Sequence, residues 1–211
     1  MRIARNILRI NASRVIVFAS TSTGDSIMKI QSSILRAAML FQAKNDVRHY
    51  LNGLTITNKH VMATNGHIAV MMEHGQKIRC KSIVISFSHK IPAKAVTTKI
   101  NLLGKNSYAE HIGPLGNVIS IGIVEIIHGK SPDIKKAIDD AYSPYDGDNE
   151  KVAMQAKYLA VIDKAFGGGR DFCHISLKFR ASNQSVGVEF HNESILRSYG
   201  NPMVCIMPAR I

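Results

Sequence analysis

Nine histidines, three cysteines and a run of acidic residues are the groups in this 211-residue chain that could hold a metal or run acid–base chemistry. None has the spacing such chemistry demands. Two imidazoles grip one ion from a helix when they stand four apart on one face, and no His-x-x-x-His occurs. A serine nucleophile on a strained turn needs Gly-x-Ser-x-Gly, which is also absent. Gly167-Gly168-Gly169-Arg170 resembles a phosphate cradle, but no Lys-Ser/Thr follows. It closes a helical pattern rather than opening one, and so reads as a helix stop. Asp139-Asp140 and Asp146-x-Asp148 lack the glycine-centred spacing of a calcium loop and read as solvated. Cys80, Cys173 and Cys205 are odd in number and far apart, which fits a reducing cytoplasm better than a disulfide framework or a zinc site. No catalytic residue, metal or cofactor is expected, and a binding role gains weight.

Stretches of chain must position whatever is bound. With 45% hydrophobic and 20% charged residues, the composition builds a core and excludes general disorder. No window of about 18 residues is free of charge, so no helical membrane span is expected. The net charge of +12 points to a polyanionic partner. Its surplus is central: residues 28–142 hold 15 basic and 7 acidic residues. Residues 1–27 carry Arg2, Arg5, Arg9 and Arg14 in a weakly apolar run. They read as a poorly ordered extension rather than a secretion signal, because Asn11, Ser13 and Arg14 break the apolar stretch. Met28 opens a more regular pattern and is an alternative start to Met1.

Three βα-then-β units follow in series. Met28–Gln31 is a strand, and Ser32 or Ser33 caps a helix carrying Ile34, Leu35, Ala38, Met39 and Phe41. On that helix Arg36 and Lys44 would share a face. Strands are expected at Val47–Thr57, Val61–Thr64 and His67–Met72, with a hairpin at Asn65-Gly66, where both residues tolerate positive φ. The second unit has strand Ile83–Phe87, a helix over Ala93–Leu103 opened by Pro92, and strands Tyr108–Ile112 and Val118–Ile127. Asp139–Glu150, with five acids and no base, reads as a solvated loop and domain boundary. The third unit has strand Val152–Ala156, helix Lys157–Phe166, and strands from Cys173, at Ser185–Phe190 and at Met203–Met207. The fold class is α+β, with helices on one face of antiparallel sheets.

Four stretches then become recognisable. Asn45-Asp46-Val47-Arg48-His49-Tyr50-Leu51-Asn52-Gly53 and Ala63-Thr64-Asn65-Gly66-His67 resemble the "DVRYYLNG" and "ATDGHRLA" stretches in the middle domain of the bacterial beta sliding clamp. That clamp is the processivity subunit of DNA polymerase III. His128 to Lys136 resembles its "DGRFPDYRR", and Val204 to Ile211 its closing "VVMPMRL". The matches fall in the family's order and span about residues 28–211. The resemblance implies a DNA-clamp fold, with residues 28–142 similar to the clamp's middle domain and residues 143–211 to the second half of its last domain. The family has three domains of two units each. Room for three units implies a shortened, clamp-like form.

By motif position, the resemblance places a peptide-binding cleft at Leu51, Thr64, Gly66, His67, Pro132, Lys136, Ala137, Cys205, Met207 and Pro208. There the apolar side chains of polymerase or clamp-loader peptides would enter. Ile68 stands where the family shows Arg, and Lys136 replaces another Arg, which alters the peptides that fit. The helices of a clamp bring cations near phosphates of double-stranded DNA without reading bases. Arg36, Lys44, Asn45, Arg48, His49 and Tyr50 would do so around the first helix, Lys94 and Lys99 on the second, and Lys157 and Lys164 on the third. The function implied is a noncatalytic, cytoplasmic replication accessory protein that self-associates. The alternative is an interaction module of phage or prophage type, which modulates host replication proteins without encircling DNA.

Overall fold

The computed structural model describes residues 26–78, 82–129, 132–144, 152–167, 173–179 and 184–209. Strand β1 (Ser26–Gln31) runs into helix α1 (Ser32–Ala38), followed by β2 (Leu54–Thr57), β3 (His60–Thr64) and β4 (Ile68–Glu73). Next come β5 (Ser82–Phe87), β6 (Thr97–Leu102), β7 (Tyr108–Ile112) and β8 (Val118–Ile127). The rest is α2 (Ile134–Tyr142), α3 (Ala156–Phe166), β9 (Ile175–Lys178), β10 (Val186–Phe190), α4 (Glu193–Ser198) and β11 (Met203–Ile206). Among the described residues all pairings are antiparallel, and eleven strands form one sheet in the order β1-β6-β7-β8-β5-β2-β3-β4-β11-β10-β9.

Strand alternation sorts the side chains. On β4, Ile68, Val70 and Met72 enter the main core with α1 and α3, while Ala69 and Met71 enter a smaller core beneath α2. The helix α2 thus lies on the sheet face opposite α1 and α3. Phe41, fully buried, meets Phe166 at 6.1 Å and joins the α1 side to α3. The strand β8 changes neighbours along its length. Val118–Ile123 pairs with β7, and Val124–Ile127 pairs with β5 on the other edge.

Several expectations are corrected. No helix forms over Ala93–Leu103: residues 88–96 make an irregular strap, and Thr97–Leu102 is β6. The β-branched Thr97 and Thr98 take the strand because β1 and β7 flank it. Lys94 therefore sits on a turn and Lys99 on a strand. Val47–Thr57 shortens to β2, preceded by a 3-10 turn at His49–Asn52. Helix α1 ends at Ala38, so Lys44 lies beyond it and shares no helical face with Arg36. Val152–Gln155 is not a strand; its backbone is tied instead by Ala209 N–H donating to the Ala153 carbonyl (2.8 Å). The acidic stretch is helical through Tyr142, and 145–150 lie outside the described residues. So do most of the N-terminal extension, Cys80, and Gly168 to Arg170 of the expected helix stop. Helix α3 ends before Gly167, whose N–H donates to the Asp163 carbonyl (2.6 Å).

The strap is wired by polar groups. Arg36 donates from Nη1 to the carbonyls of Pro92 (2.9 Å) and Ala95 (3.0 Å). His89 and His111 meet Nε2 to Nε2 at 2.6 Å, so one ring donates and the other accepts. His111 Nδ1 lies 3.0 Å from Thr98 Oγ1, which lies 2.8 Å from Ser32 Oγ at the start of α1. Burial holds the His111 imidazole down at about 4, helped by His89 and Arg36. Gly122 makes room for this: a Cβ there would stand 1.8 Å from the His89 ring.

Candidate peptide cleft and basic faces

The hairpin between β3 and β4 forms one wall of a cleft. Asn65 Oδ1 accepts from the N–H groups of His67 (2.9 Å) and Ile68 (3.0 Å), closing an Asx turn. Thr64 Oγ1 accepts from Gly66 N–H (3.0 Å) and donates to the Ile68 carbonyl (2.8 Å). Gly66 has φ +87°, and its missing Cβ lets the Arg48 guanidinium come within 3.3 Å of that position. Arg48 is held in turn by Asp46, through Nε to Oδ1 (3.0 Å) and Nη2 to Oδ2 (2.9 Å). Those hydrogen bonds, joined by the Arg48 backbone N–H, pull the Asp46 carboxyl down to about 2. Asn52 fixes the same loop by exchanging hydrogen bonds with the Asp46 backbone. Leu51 turns inward and is buried.

Helix α2 forms the facing wall. Its cap is Asp133, whose carboxylate accepts from Lys136 N–H (3.1 Å). Ile134, Ile138 and Ala141 pack on Met62, Ala69, Met71 and Cys205. Tyr142 ends the helix with its hydroxyl on the Val188 carbonyl (2.5 Å), and burial pushes that phenol up to about 12. The end of β11 closes the cleft, Met207 N–H donating to the His67 carbonyl (2.8 Å). Burial likewise drives the Cys205 thiol up to about 12, so it is a neutral apolar lining group.

The cleft, open on one side, holds about 210 Å³. Seven of the ten motif residues line it: Leu51, Thr64, Gly66, Pro132, Ala137, Cys205 and Met207. The other three do not. His67 stacks on Tyr158 at 6.0 Å, Lys136 is exposed on α2, and Pro208 is half-buried past β11. Arg48 and Tyr50, expected to face DNA from the loop after the first helix, line the cavity, as do Ile68, Ala69, Asp133 and Ile134. Burial of alternate β4 residues on the α2 side would have found Ala69; the Asp133-x-x-Lys136 cap spacing would have found Asp133. A neighbouring open depression of about 460 Å³ shares Ala137 and Met207 and extends towards Asp140, Ser143, Gln184 and Ser185. The lining is an apolar floor with one cation and one carboxylate at the rim, an arrangement for binding. Among the described residues no group of three or more His, Cys, Asp and Glu could hold a metal ion, and no helix is long and apolar enough to cross a membrane.

The proposed DNA contacts divide. Arg36 is spent on the strap and Lys99 on Glu110 (3.0 Å). Lys44, Asn45, His49 and Lys94 are exposed. Lys157 and Lys164, seven apart, lie exposed on α3, away from the buried Tyr158, Ile162, Ala165 and Phe166. Lys157 Nζ sits 5.0 Å from the centre of the Tyr158 ring.

Known proteins place this architecture. No family model matches the chain. It is 26% identical over 183 residues to the beta sliding clamp of Buchnera aphidicola subsp. Acyrthosiphon pisum (strain APS), covering 79% of this chain and 46% of that one. The chain thus spans about half the length of the curated relative it matches. Among solved structures, a DNA polymerase sliding clamp from Pseudomonas aeruginosa superposes with TM-score 0.58 at 16% identity, over 91% of this chain and 68% of that one. The DNA polymerase III beta subunit of Thermotoga maritima gives 0.56 at 12%, over 93% and 69%. That of Borrelia burgdorferi gives 0.59 at 15%, over 88% and 64%. The chain is similar in sequence to a beta sliding clamp, and its fold is that of the bacterial beta sliding clamps.

Proposed function

We propose that this protein is a noncatalytic, cytoplasmic accessory factor of DNA replication, of the processivity-clamp type. It takes the apolar end of a polymerase- or clamp-loader-type peptide between α2 and the hairpin of β3 and β4. It associates with duplex DNA through phosphates, in a self-associated form. The observation that carries this reading is convergence. Four segments far apart in sequence, around Leu51, Thr64–Gly66, Pro132–Ala137 and Cys205–Met207, line one cavity. The apolar floor suits hydrophobic anchors, and Met207, 42% exposed, can repack around several of them. The exposed Lys157 and Lys164 of α3 supply cations without a base-reading element.

Fluorescence anisotropy with a labelled clamp-binding peptide tests the cleft. Saturable binding is expected, weakened roughly tenfold by Ala137→Glu, which puts an unpaired charge against the apolar floor. Absence of binding to the parent protein refutes the reading. Duplex binding should fall steeply with salt, and replacing Lys157 and Lys164 together by Glu should weaken it for every sequence alike. Peptide capture with no duplex binding at low salt would refute the DNA half and leave an interaction module.

A further inference from the structure

Strands β1, β6, β7 and β8 present an apolar face to the outside of the sheet. Cross-strand register sets Ile27, Asn101, Tyr108 and Ile123 in one row across them. The next row is Lys29, Lys99, Glu110 and Ile121, and the one after it ends in Ile112 and Val118. Met28, Ile30, Ile100 and Ala109 alternate with these residues and enter the main core, so the rows face away from α1 and α3. Ile27, Ile121, Ile123 and Val118 are 63%, 63%, 61% and 50% exposed. Lys99 and Glu110 neutralise each other in the middle row (3.0 Å). Asn101, between Ile27 and Tyr108, is only 5% exposed, yet its Nδ2 has no hydrogen-bond partner among the described residues. An apolar patch of this kind marks a contact surface, and a buried donor without an acceptor is costly.

We propose that the first 24 residues of this same chain cover that face, with Val15-Ile16-Val17-Phe18 seated on Ile121 and Ile123. The segment lies outside the described residues, and the point where the described chain begins argues for its place. Ser26 opens β1 beside Ile27, at one end of the row that runs to Ile123. Three strand spacings, roughly 14 Å in all, separate the two ends of that row. Ala19 to Asp25, the residues between Phe18 and Ser26, can span up to about 23 Å. They are small or polar, and Gly24 allows the chain to double back. The linker thus carries nothing bulky across the row, and the apolar run begins where Ile123 and Ile121 are within reach. A chain crossing there also brings backbone carbonyls past Asn101 Nδ2. Charge agrees: Arg14 precedes the apolar run, and Glu125 stands exposed two residues beyond Ile123 on the same face. A second copy is the weaker occupant. Two chains of net charge +12 repel, whereas a tethered segment is held at high effective concentration. The proposal does not rest on the peptide or DNA reading.

Fluorescence of the full chain tests it. The chain has no tryptophan, so Phe18→Trp adds a single reporter. Blue-shifted emission is expected, with acrylamide quenching several-fold weaker than in the denatured chain and the same at every protein concentration. Adding Ile121→Asp should move the emission to the red and restore the quenching, while the melting curve of the sheet stays in place. Adding Leu115→Asp instead, at a turn position 91% exposed, should change neither. A disulfide gives a second reading that needs no charged substitution. Phe18→Cys with Ile123→Cys should close within one chain on mild oxidation, and Phe18→Cys with the exposed Val47→Cys should not. Solvent-exposed emission from the Phe18→Trp protein overturns the proposal. So does protection indifferent to Ile121→Asp, which seats the segment elsewhere, or protection that grows with concentration, which gives the face to a second copy. Equal oxidation of the two cysteine pairs overturns it as well.

Discussion

From β1 to β4 the chain lays a helix over its sheet, and from β5 to β8 it lays the strap of residues 88–96 in the corresponding place. Helix α1 contributes five buried residues within seven positions, and Phe41 beyond it reaches α3. The strap contributes Ile91 and Ala95; backbone hydrogen bonds at Ser88 and Val96 fix its two ends, and its side chains are held by Arg36 and by the chain from His89 through His111 and Thr98 to Ser32. Apolar packing is indifferent to pH and tolerant of small shifts. A hydrogen-bonded strap is directional and depends on which nitrogen carries a proton. The same fold position can thus be filled by two kinds of force with different failure modes.

Four measurements sharpen that contrast. Phe41→Ala should cost about 4 kcal/mol in denaturant unfolding and Ile91→Ala about 2 kcal/mol, because the first empties the junction of α1 and α3. Equal losses would mean that the strap packs as well as the helix. Acid should come next. His111 titrates near 4 in the fold against an ordinary value of 6.5, so the unfolded chain takes up the proton first. Stability is then full above about pH 6.5 and falls towards pH 4, by on the order of 2 kcal/mol. A His111→Asn variant should lose most of that slope, and an unchanged slope would place the acid sensitivity elsewhere. Arg36→Met should cost about 2 kcal/mol by leaving two carbonyls without their donor. Hydrogen exchange should then rise in residues 88–96 before anywhere in α1. The smallest effect is Gly122→Ala, about 1 kcal/mol, since the His89 side chain can swing aside; the His89 and His111 ring resonances should separate in NMR spectra.

What could be read from sequence follows the range of the forces. The bounds of β7 and β8 match, and the Asn65-Gly66 hairpin forms, with positive φ at Gly66 but not at Asn65 and the return strand starting at Ile68 instead of His67. The expected helix at Ala93–Leu103 does not form, because Thr97–Leu102 is recruited by β1, some seventy residues earlier. Helix α4 is one short, capped turn and a half, too brief for a periodic signal. The cavity was legible only through motif resemblance, which reached Leu51, Thr64, Gly66, Pro132, Ala137, Cys205 and Met207. Spacing could not show that Arg48, drawn over Gly66 by Asp46, turns into the cleft rather than away from it.

The pairing of β4 with β11 also sets a schedule. Met71 and Met203 are partners about 130 positions apart, so during synthesis β4 must wait several seconds for the strand that covers it. Until then one flank of the nascent sheet offers a bare row of amides and carbonyls beside Ala69 and Met71. A chaperone, or a neighbouring nascent chain on the same messenger, meets that flank before β11 does.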